Sequence, residues 1–343
     1  MLQLIIWRSV WVCLAIALSG CSYDDSNRDA DLRNARITLG NALFNDPHLS
    51  ADGMTKCASC HIASHAYTDG RQVAVGVFGR TGSRNTPSLS ALDSSDKDAS
   101  FFWDGRRTQL NEAVLDPLTN PVEMGLHDQA EIVQRIQDNA GYRASFEHIF
   151  HHKNIVSQDI GAVLADYVRS LGSKPSAYDR SVAQGDHTAL NARAQLGLAL
   201  FSGKARCSEC HLLTGKTAAL TDDKFHRTGV GLDGIAFSLS SLTQEAVKSS
   251  LQGSAIGDRV ATHPDEAQLG RFNVTREPVD IGLFRTPSLK GVANTAPYMH
   301  DGSVPTLEDA IDREIYYRSL QAGKPLNLST EDRTNLKAFL ESL

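Results

Sequence analysis

The residues best suited to chemistry fall in two copies of one pentapeptide, Cys57-Ala58-Ser59-Cys60-His61 and Cys207-Ser208-Glu209-Cys210-His211. Both read C-x-x-C-H, the attachment signature of c-type haem. Two thiols one helical turn apart can add to the two vinyl groups of one porphyrin, and the adjacent imidazole then reaches the iron from the same side. Zinc would want four ligands from paired C-x-x-C motifs, a disulfide could close either pair, and a redox C-x-x-C belongs in a thioredoxin-like βαβ pattern. None of these explains why both pairs end in His. Two covalently bound haem c groups are therefore expected, with Cys57, Cys60, Cys207 and Cys210 as anchors and His61 and His211 as proximal ligands.

The elements that must carry these motifs come from a chain of 343 residues, 41% hydrophobic and 22% charged. That is long enough for two ordinary domains with a core each, and too apolar for disorder. Forty acidic residues stand against 34 basic ones, a net charge of -6 with no basic run. Nucleic acid is thereby excluded as a partner. Residues 1–20 carry one basic residue, Arg8, and an apolar run from Ser9 to Leu18, too short to span a bilayer and suited to a signal peptide. The run ends in Leu18-Ser19-Gly20-Cys21, which resembles a bacterial lipobox with Cys21 as the lipidated residue. Ser22 after it resembles outer-membrane sorting. Residues 21–30 read as a polar tether, so the expected location is the periplasm, at a lipid-anchored position on the outer membrane.

Around the two motifs the sequence repeats itself. Leu39-Gly40-Asn41-Ala42-Leu43-Phe44 matches Leu196-Gly197-Leu198-Ala199-Leu200-Phe201. Arg84-Asn85-Thr86-Pro87-Ser88-Leu89 matches Phe284-Arg285-Thr286-Pro287-Ser288-Leu289, and Trp103 through Val114 aligns without a gap on His300 through Ile311. Apolar spacings of three and four at Ile132 and Ile136, and from Ile160 to Leu171, predict helices, the latter capped by Ser157. Ser329 with Asp332 opens a final amphipathic helix. Alternating strand patterns are almost absent. The expected class is mostly α, with two tandem cytochrome-c-like haem domains related by internal duplication: 31–180, then 181–343, joined through Gly172 to Gln184.

Phe102-Trp103-Asp104-Gly105-Arg106, Asn120-Pro121-Val122-Glu123-Met124-Gly125, Thr286-Pro287-Ser288-Leu289 and Ala296-Pro297-Tyr298-Met299-His300-Asp301-Gly302, set beside the two haem motifs, resemble the bacterial di-haem cytochrome c peroxidase and MauG family from about residue 31 to the end. The resemblance implies a peroxide-reacting N-terminal haem and an electron-transfer C-terminal one. It makes Glu123 the distal acid, because cleaving an O–O bond needs a group that takes a proton from one oxygen and returns it to the other. It makes Trp103 the relay between the haems. It also implies one calcium ion between domains, at Asn85, Arg285 and Pro287.

Since Trp103 aligns on His300, Pro117 aligns on Glu314. Pro cannot ligate iron, which suits an open first site. Glu314 departs from the family's Met or Tyr ligand, with Tyr317 one turn on as the substitute sixth ligand and Met299 as a third choice. Ala205 stands where MauG carries a Trp. The resemblance implies an oxidoreductase acting on hydrogen peroxide, with a small redox protein such as a cytochrome c or copper protein as electron donor. The alternatives are a MauG-like oxidase that modifies a partner protein, and a di-haem electron carrier without chemistry of its own.

Overall fold

Between Cys21 and Leu39 the chain has no Gly or Pro, and residues such as Ala30, Leu32 and Arg33 favour helix. The structure, a computed structural model that describes residues 12–90, 92, 100–172, 175–183, 185–213 and 219–343, accordingly runs one helix from Val12 to Phe44. Side chains are described from residue 27 on, residue 183 excepted. Residues 21–30, expected as a polar tether, thus lie within this helix. Most of the leader, residues 1–11, and the Cys21 side chain lie outside the described residues. Among the described residues no helix is long and apolar enough to cross a membrane.

The architecture is mostly helical, and among the described residues one ribbon pairs Phe225–Arg227 antiparallel with Leu283–Arg285. Leu39, Leu43 and Phe44 pack with Ile132, Ile136, Ile160, Val163, Leu164 and Val168 in a first core. Phe201, Leu307, Ile311, Leu336, Phe339 and Leu340 form a second. A third, smaller core of Ile235, Ala246, Leu269 and Phe272 lies in the stretch between the second haem motif and the Leu283–Arg285 strand. Sequence periodicity did not announce it.

Helix caps follow local chemistry. Ser329 accepts from the Asp332 amide at 3.1 Å while Asp332 accepts from the Ser329 amide at 2.9 Å, the reciprocal pair expected. The Ser157–Ser170 helix differs: Val156 is its cap, and Asp159 accepts from the Val156 amide at 3.4 Å, so Ser157 is the first helical residue. The expected linker carries a helix of its own, Ala177–Ala183, because Tyr178 finds a core partner in Phe339, edge to face at 5.6 Å. Residues 173, 174 and 184 of that linker lie outside the described residues.

Corresponding residues of the two halves meet corresponding neighbours. A Cβ on Gly40 would lie 2.1 Å from the Val163 carbonyl oxygen and 2.6 Å from the Tyr167 Cβ. A Cβ on Gly197 would lie 2.0 Å from the Asn335 oxygen and 2.7 Å from the Phe339 Cβ. Each glycine lets the helix before a haem motif touch a later helix backbone to backbone. Phe101 bridges Arg107 as Tyr298 bridges Val304, and Phe102 and Gly105 take the left-handed conformation that Met299 and Gly302 also take.

Gly40→Ala and Gly197→Ala are each expected to lower stability by about 1–3 kcal/mol through overpacking, read by denaturant unfolding followed by circular dichroism. An unchanged midpoint in both would mean that the crossings tolerate a methyl group.

Candidate active site

Each haem motif opens on a cavity. The first is lined by Cys57, Cys60, His61, Trp103, Pro117 and Glu123. The second is lined by Cys207, Cys210, His211, Trp103, Met299 and Glu314. Asn85, Thr86, Phe102, Trp103 and Arg285 line both, so they form the partition between the cavities.

The proximal side is alike in both. His61 Nδ1 bonds the Tyr67 carbonyl at 2.8 Å, and His211 Nδ1 bonds the Leu220 carbonyl at 2.9 Å. A ring that donates through Nδ1 keeps its lone pair on Nε2, the tautomer an iron ligand needs. Burial holds His61 below its ordinary pKa and pushes His211 down to about 4, so both rings are neutral. Phe44 and Phe201, each the last large residue of the preceding helix, pack on these rings at 6.2 and 6.5 Å. Burial pushes the Cys57, Cys60 and Cys207 thiols up to about 12.

Unpartnered groups at the partition fit haem as well. Among the described residues, Arg84 Nε and Nη1, Arg106 Nε, Arg285 Nε and the Thr86 hydroxyl are buried without a hydrogen-bond partner. Arg84 and Arg106 line the first cavity and Arg285 both. Buried guanidinium N–H groups call for anions, and haem propionates are carboxylates. The residues present therefore fit a haem at each motif, held through the Cys pair, the proximal His and these cations.

The distal side of the first cavity hangs on Asn120. Its Oδ1 accepts from the Val122 and Glu123 amides at 2.9 and 3.3 Å, and its Nδ2 donates to the Gly257 carbonyl at 3.3 Å. The Glu123 carbonyl accepts from the Val77 amide at 2.9 Å. With its backbone fixed, the Glu123 side chain lines the cavity. Burial raises its pKa, Arg106 opposes that, and Asp116 and Asp258 add to it. A carboxyl raised towards neutrality suits proton transfer at working pH.

Trp103 donates through Nε1 to the Asn85 carbonyl at 2.9 Å and accepts from the Arg285 amide at 2.9 Å. The indole is thus held on Asn85 while the Trp103 backbone carbonyl ties the residue to the other half. Asn85 donates through Nδ2 to the Arg71 carbonyl at 2.9 Å, and Arg285 pairs with Asp223 at 2.9 Å. Pro287 lines the second cavity alone. Of the three residues expected at calcium, Asn85 and Arg285 thus stand at the partition and Pro287 beside it, and none of them is a carboxylate.

The Leu307–Ala322 helix is continuous, with no irregularity after Ile311. Glu314 lines the second cavity beside Ile311 and Arg318, whereas Tyr317 does not and packs instead against Gly229. Burial raises the Glu314 pKa against the pull of Arg318, whose Nε lies 3.5 Å from Oε2, and of His226. In the first half the matching helix is broken into Leu110–Ala113 and Asp116–Thr119, with Pro117 in the first turn of the second piece. Ala205 is buried at the wall of the second cavity. Sequence reasoning missed Arg84, Arg106 and the Ile256–Thr262 helix, whose Gly257, Val260 and Ala261 roof the first cavity. Arg106 stood inside a quoted motif, but nothing in its spacing announced the burial.

A family model described as di-haem cytochrome c peroxidase matches residues 34–188, and one described as RoxA-like, cytochrome c-like matches residues 283–317. The chain is 33% identical to the methylamine utilization protein MauG of Methylorubrum extorquens, covering 90% of this chain and 78% of that one. It is 31% identical to the cytochrome c peroxidase Ccp of Escherichia coli, covering 90% of this chain and 58% of that longer protein. A crystal structure of a MauG-like protein associated with microbial copper homeostasis is similar with a TM-score of 0.69 and 31% identity, covering 90% of this chain and 89% of that one. The diheme peroxidase BthA from Burkholderia thailandensis shares the fold, at a TM-score of 0.66 and 22% identity.

Replacing Cys57 and Cys60 together by Ala is expected to leave one covalent haem per chain, as is the same change at Cys207 and Cys210. Pyridine haemochrome spectra against protein concentration check it. Two haems retained in either variant would contradict the anchor assignment.

Proposed function

The chain belongs to the di-haem cytochrome c peroxidase family, and on that premise we propose that it is an exported peroxidase. Hydrogen peroxide is reduced at the N-terminal centre with electrons passed from the C-terminal one. The observation that carries this reading is an asymmetry: Pro117 lines the first cavity where the matching position of the second carries Glu314. Haem bound at the two motifs would supply the redox chemistry, and the Pro117 position of the first cavity offers it no ligating side chain.

The protein's own groups do the rest. Glu123 takes a proton from one peroxide oxygen at its carboxylate and returns it to the other, a role supported by its burial and raised pKa. Val122, Val260 and Ala261 line the same cavity and keep bulk water from it. Trp103, lining both cavities, relays electrons across the partition. Glu314, in preference to Tyr317, would be the residue to hold the second haem on its open side, a reading supported by the unbroken helix and the cavity lining. An oxygen ligand there favours the oxidised state relative to a thioether. A calcium ion at Asn85, Arg285 and Pro287 would rest on neutral oxygens and coordinate weakly.

The same reading takes 31–180 and 181–343 as duplicated cytochrome-c-like domains, supported by the matched glycine crossings and turns. It places the protein in the periplasm, lipid-anchored at Cys21, with a small cytochrome c or copper protein as donor. A second reading, peroxide-dependent oxidation of a partner protein, is favoured by the MauG relatives and by an oxygen donor, Glu314, at the second cavity. Ala205 speaks against it. Pro117 and Glu123 speak against a pure electron carrier, which needs neither an open iron nor an acid beside it.

Glu123→Gln is expected to keep both haems and slow reaction with peroxide by roughly two to four orders of magnitude, measured by stopped-flow absorbance. An unchanged rate removes Glu123 from the mechanism. Low-temperature EPR of the oxidised protein should show an altered low-spin signal in Glu314→Ala and not in Tyr317→Phe. The reverse pattern would hand the ligand role to Tyr317.

A further inference from the structure

Reduction of one hydrogen peroxide to two waters takes up two protons with two electrons. The electrons have Trp103, but the protons must also reach a carboxyl that lines a buried cavity. Glu123 has no side-chain hydrogen bond among the described residues, so its supply has to come through a neighbour.

The Ile256–Thr262 helix provides one. Although more than 130 positions further along the chain, it is tied to the Glu123 loop by the two ends of one carboxamide: Asn120 accepts from the Glu123 amide and donates to the Gly257 carbonyl, both at 3.3 Å. The Ser83 hydroxyl donates to the Val260 carbonyl one turn on. Arg106 packs on the same helix, for a Cβ on Gly257 would lie 3.5 Å from its Nε. The next residue is Asp258. It is half-buried, and among the described residues its carboxylate has no hydrogen-bond or ion-pair partner. The charged groups around it and Glu123 are Arg106, which is held on Asp104 at 3.1 Å, and Asp116, which is held by Arg107 at 2.8 Å. Both nearby acids other than Glu123 and Asp258 are thus already ion-paired.

We propose that Asp258 is the proton inlet of the first cavity, a positioning residue that passes protons from solvent to Glu123. The proposal rests on the peroxidase reading. In each transfer the protonated Asp258 gives its proton to the Glu123 carboxylate and is reprotonated from water, so charge balances and no further reagent is needed. Burial together with Asp116 raises the Asp258 pKa against Arg106, which lets it hold a proton nearer neutral pH than an exposed aspartate.

The test uses the full di-haem protein with Asp258→Asn, Asp258→Glu and Glu123→Gln. Cyanide supplies a readout apart from turnover, since HCN must give up its proton on binding. Removing the Asp258 charge takes away a group that raises the Glu123 pKa, so the pH midpoint of cyanide binding should fall in Asp258→Asn and recover in Asp258→Glu. Peroxide turnover in Asp258→Asn should fall about ten- to a hundredfold with an enlarged solvent deuterium effect. If Glu123→Gln abolishes the pH dependence while Asp258→Asn leaves midpoint and isotope effect unchanged, the inlet is wrong and the peroxidase reading stands. If Glu123→Gln changes nothing either, both fall. A thermal melt identical to the parent's separates these outcomes from loss of the helix; should Asp258→Asn melt early, Asp258→Ala is read in its place, where slowed turnover restored by added formate upholds the inlet and unchanged turnover refutes it.

Discussion

A fully buried carboxylate, Asp104, faces two guanidiniums, Arg106 at 3.1 Å and Arg84 at 3.9 Å, and the joint between the halves is built round that imbalance. One negative charge against two positive ones is costly away from water, and removing a partner from such a cluster costs more than the pair contributes. The protein reduces the cost in three ways. Arg84 donates to the Ala267 carbonyl at 2.5 Å and lies over Phe284 at 5.0 Å, Arg106 stacks on Phe102 at 3.5 Å, and the remaining N–H groups face cavities that suit carboxylate-bearing haem. Burial lowers the Arg84 pKa to about 10, which still leaves it charged at neutral pH. Positive potential at the partition is therefore a permanent feature, and it bears on Glu123 through Arg106.

How much of this was legible in the sequence depended on how local the cause was. The two C-x-x-C-H motifs, whose histidines each line a cavity, and the reciprocal cap at Ser329 and Asp332 are set by residues within a few positions of one another, and a pattern reading finds them. Pro117 and Glu314 were found by register, because the repeat is gap-free through Val114 and Ile311 and the Leu307–Ala322 helix carries that register on without interruption. The roof of the first cavity was not legible. Gly257, Val260 and Ala261 come from a helix of seven residues with no amphipathic period long enough to read, and their partners Asn120 and Ser83 lie more than a hundred positions away. The helical backbone of the polar stretch 21–30 was not legible for a different reason: its composition is that of a tether, but without Gly or Pro nothing in it stops a helix.

The two halves differ most where one residue decides the course of a helix. In the second half sixteen residues from Leu307 run unbroken, and Glu314 and Arg318 project one turn apart onto the second cavity. In the first half Pro117 lacks an amide hydrogen and separates Asp116–Thr119 from Leu110–Ala113, and Pro121 holds Asn120 extended, so the chain leaves the helix at Thr119 and enters the Asn120 loop. Breaking the helix is what brings Glu123 to the cavity. A side chain able to ligate was given up and an acid was delivered in the same local event, which is why Pro117 and Glu123 belong to one device.

Each cavity also depends on residues from the other half. Arg285 and the Ile256–Thr262 helix close the first cavity, while Asn85, Thr86 and Trp103 wall the second. Two independent cytochrome-like units would have no use for this exchange, because a simple carrier needs only its own ligands and an exposed edge. Peroxide reduction joins two supplies at one point, electrons and protons, and they have to arrive by separate routes if the oxidising equivalent is not to be lost to solvent. The partition carries Trp103, and the roof helix carries Asp258 next to the Gly257 that lines the first cavity, from different parts of the chain. On the proposed reading, burying Asn120, one carboxamide that holds the Glu123 loop to the roof helix, therefore does more than stabilise a turn: it keeps the proton side of the site in register with the electron side.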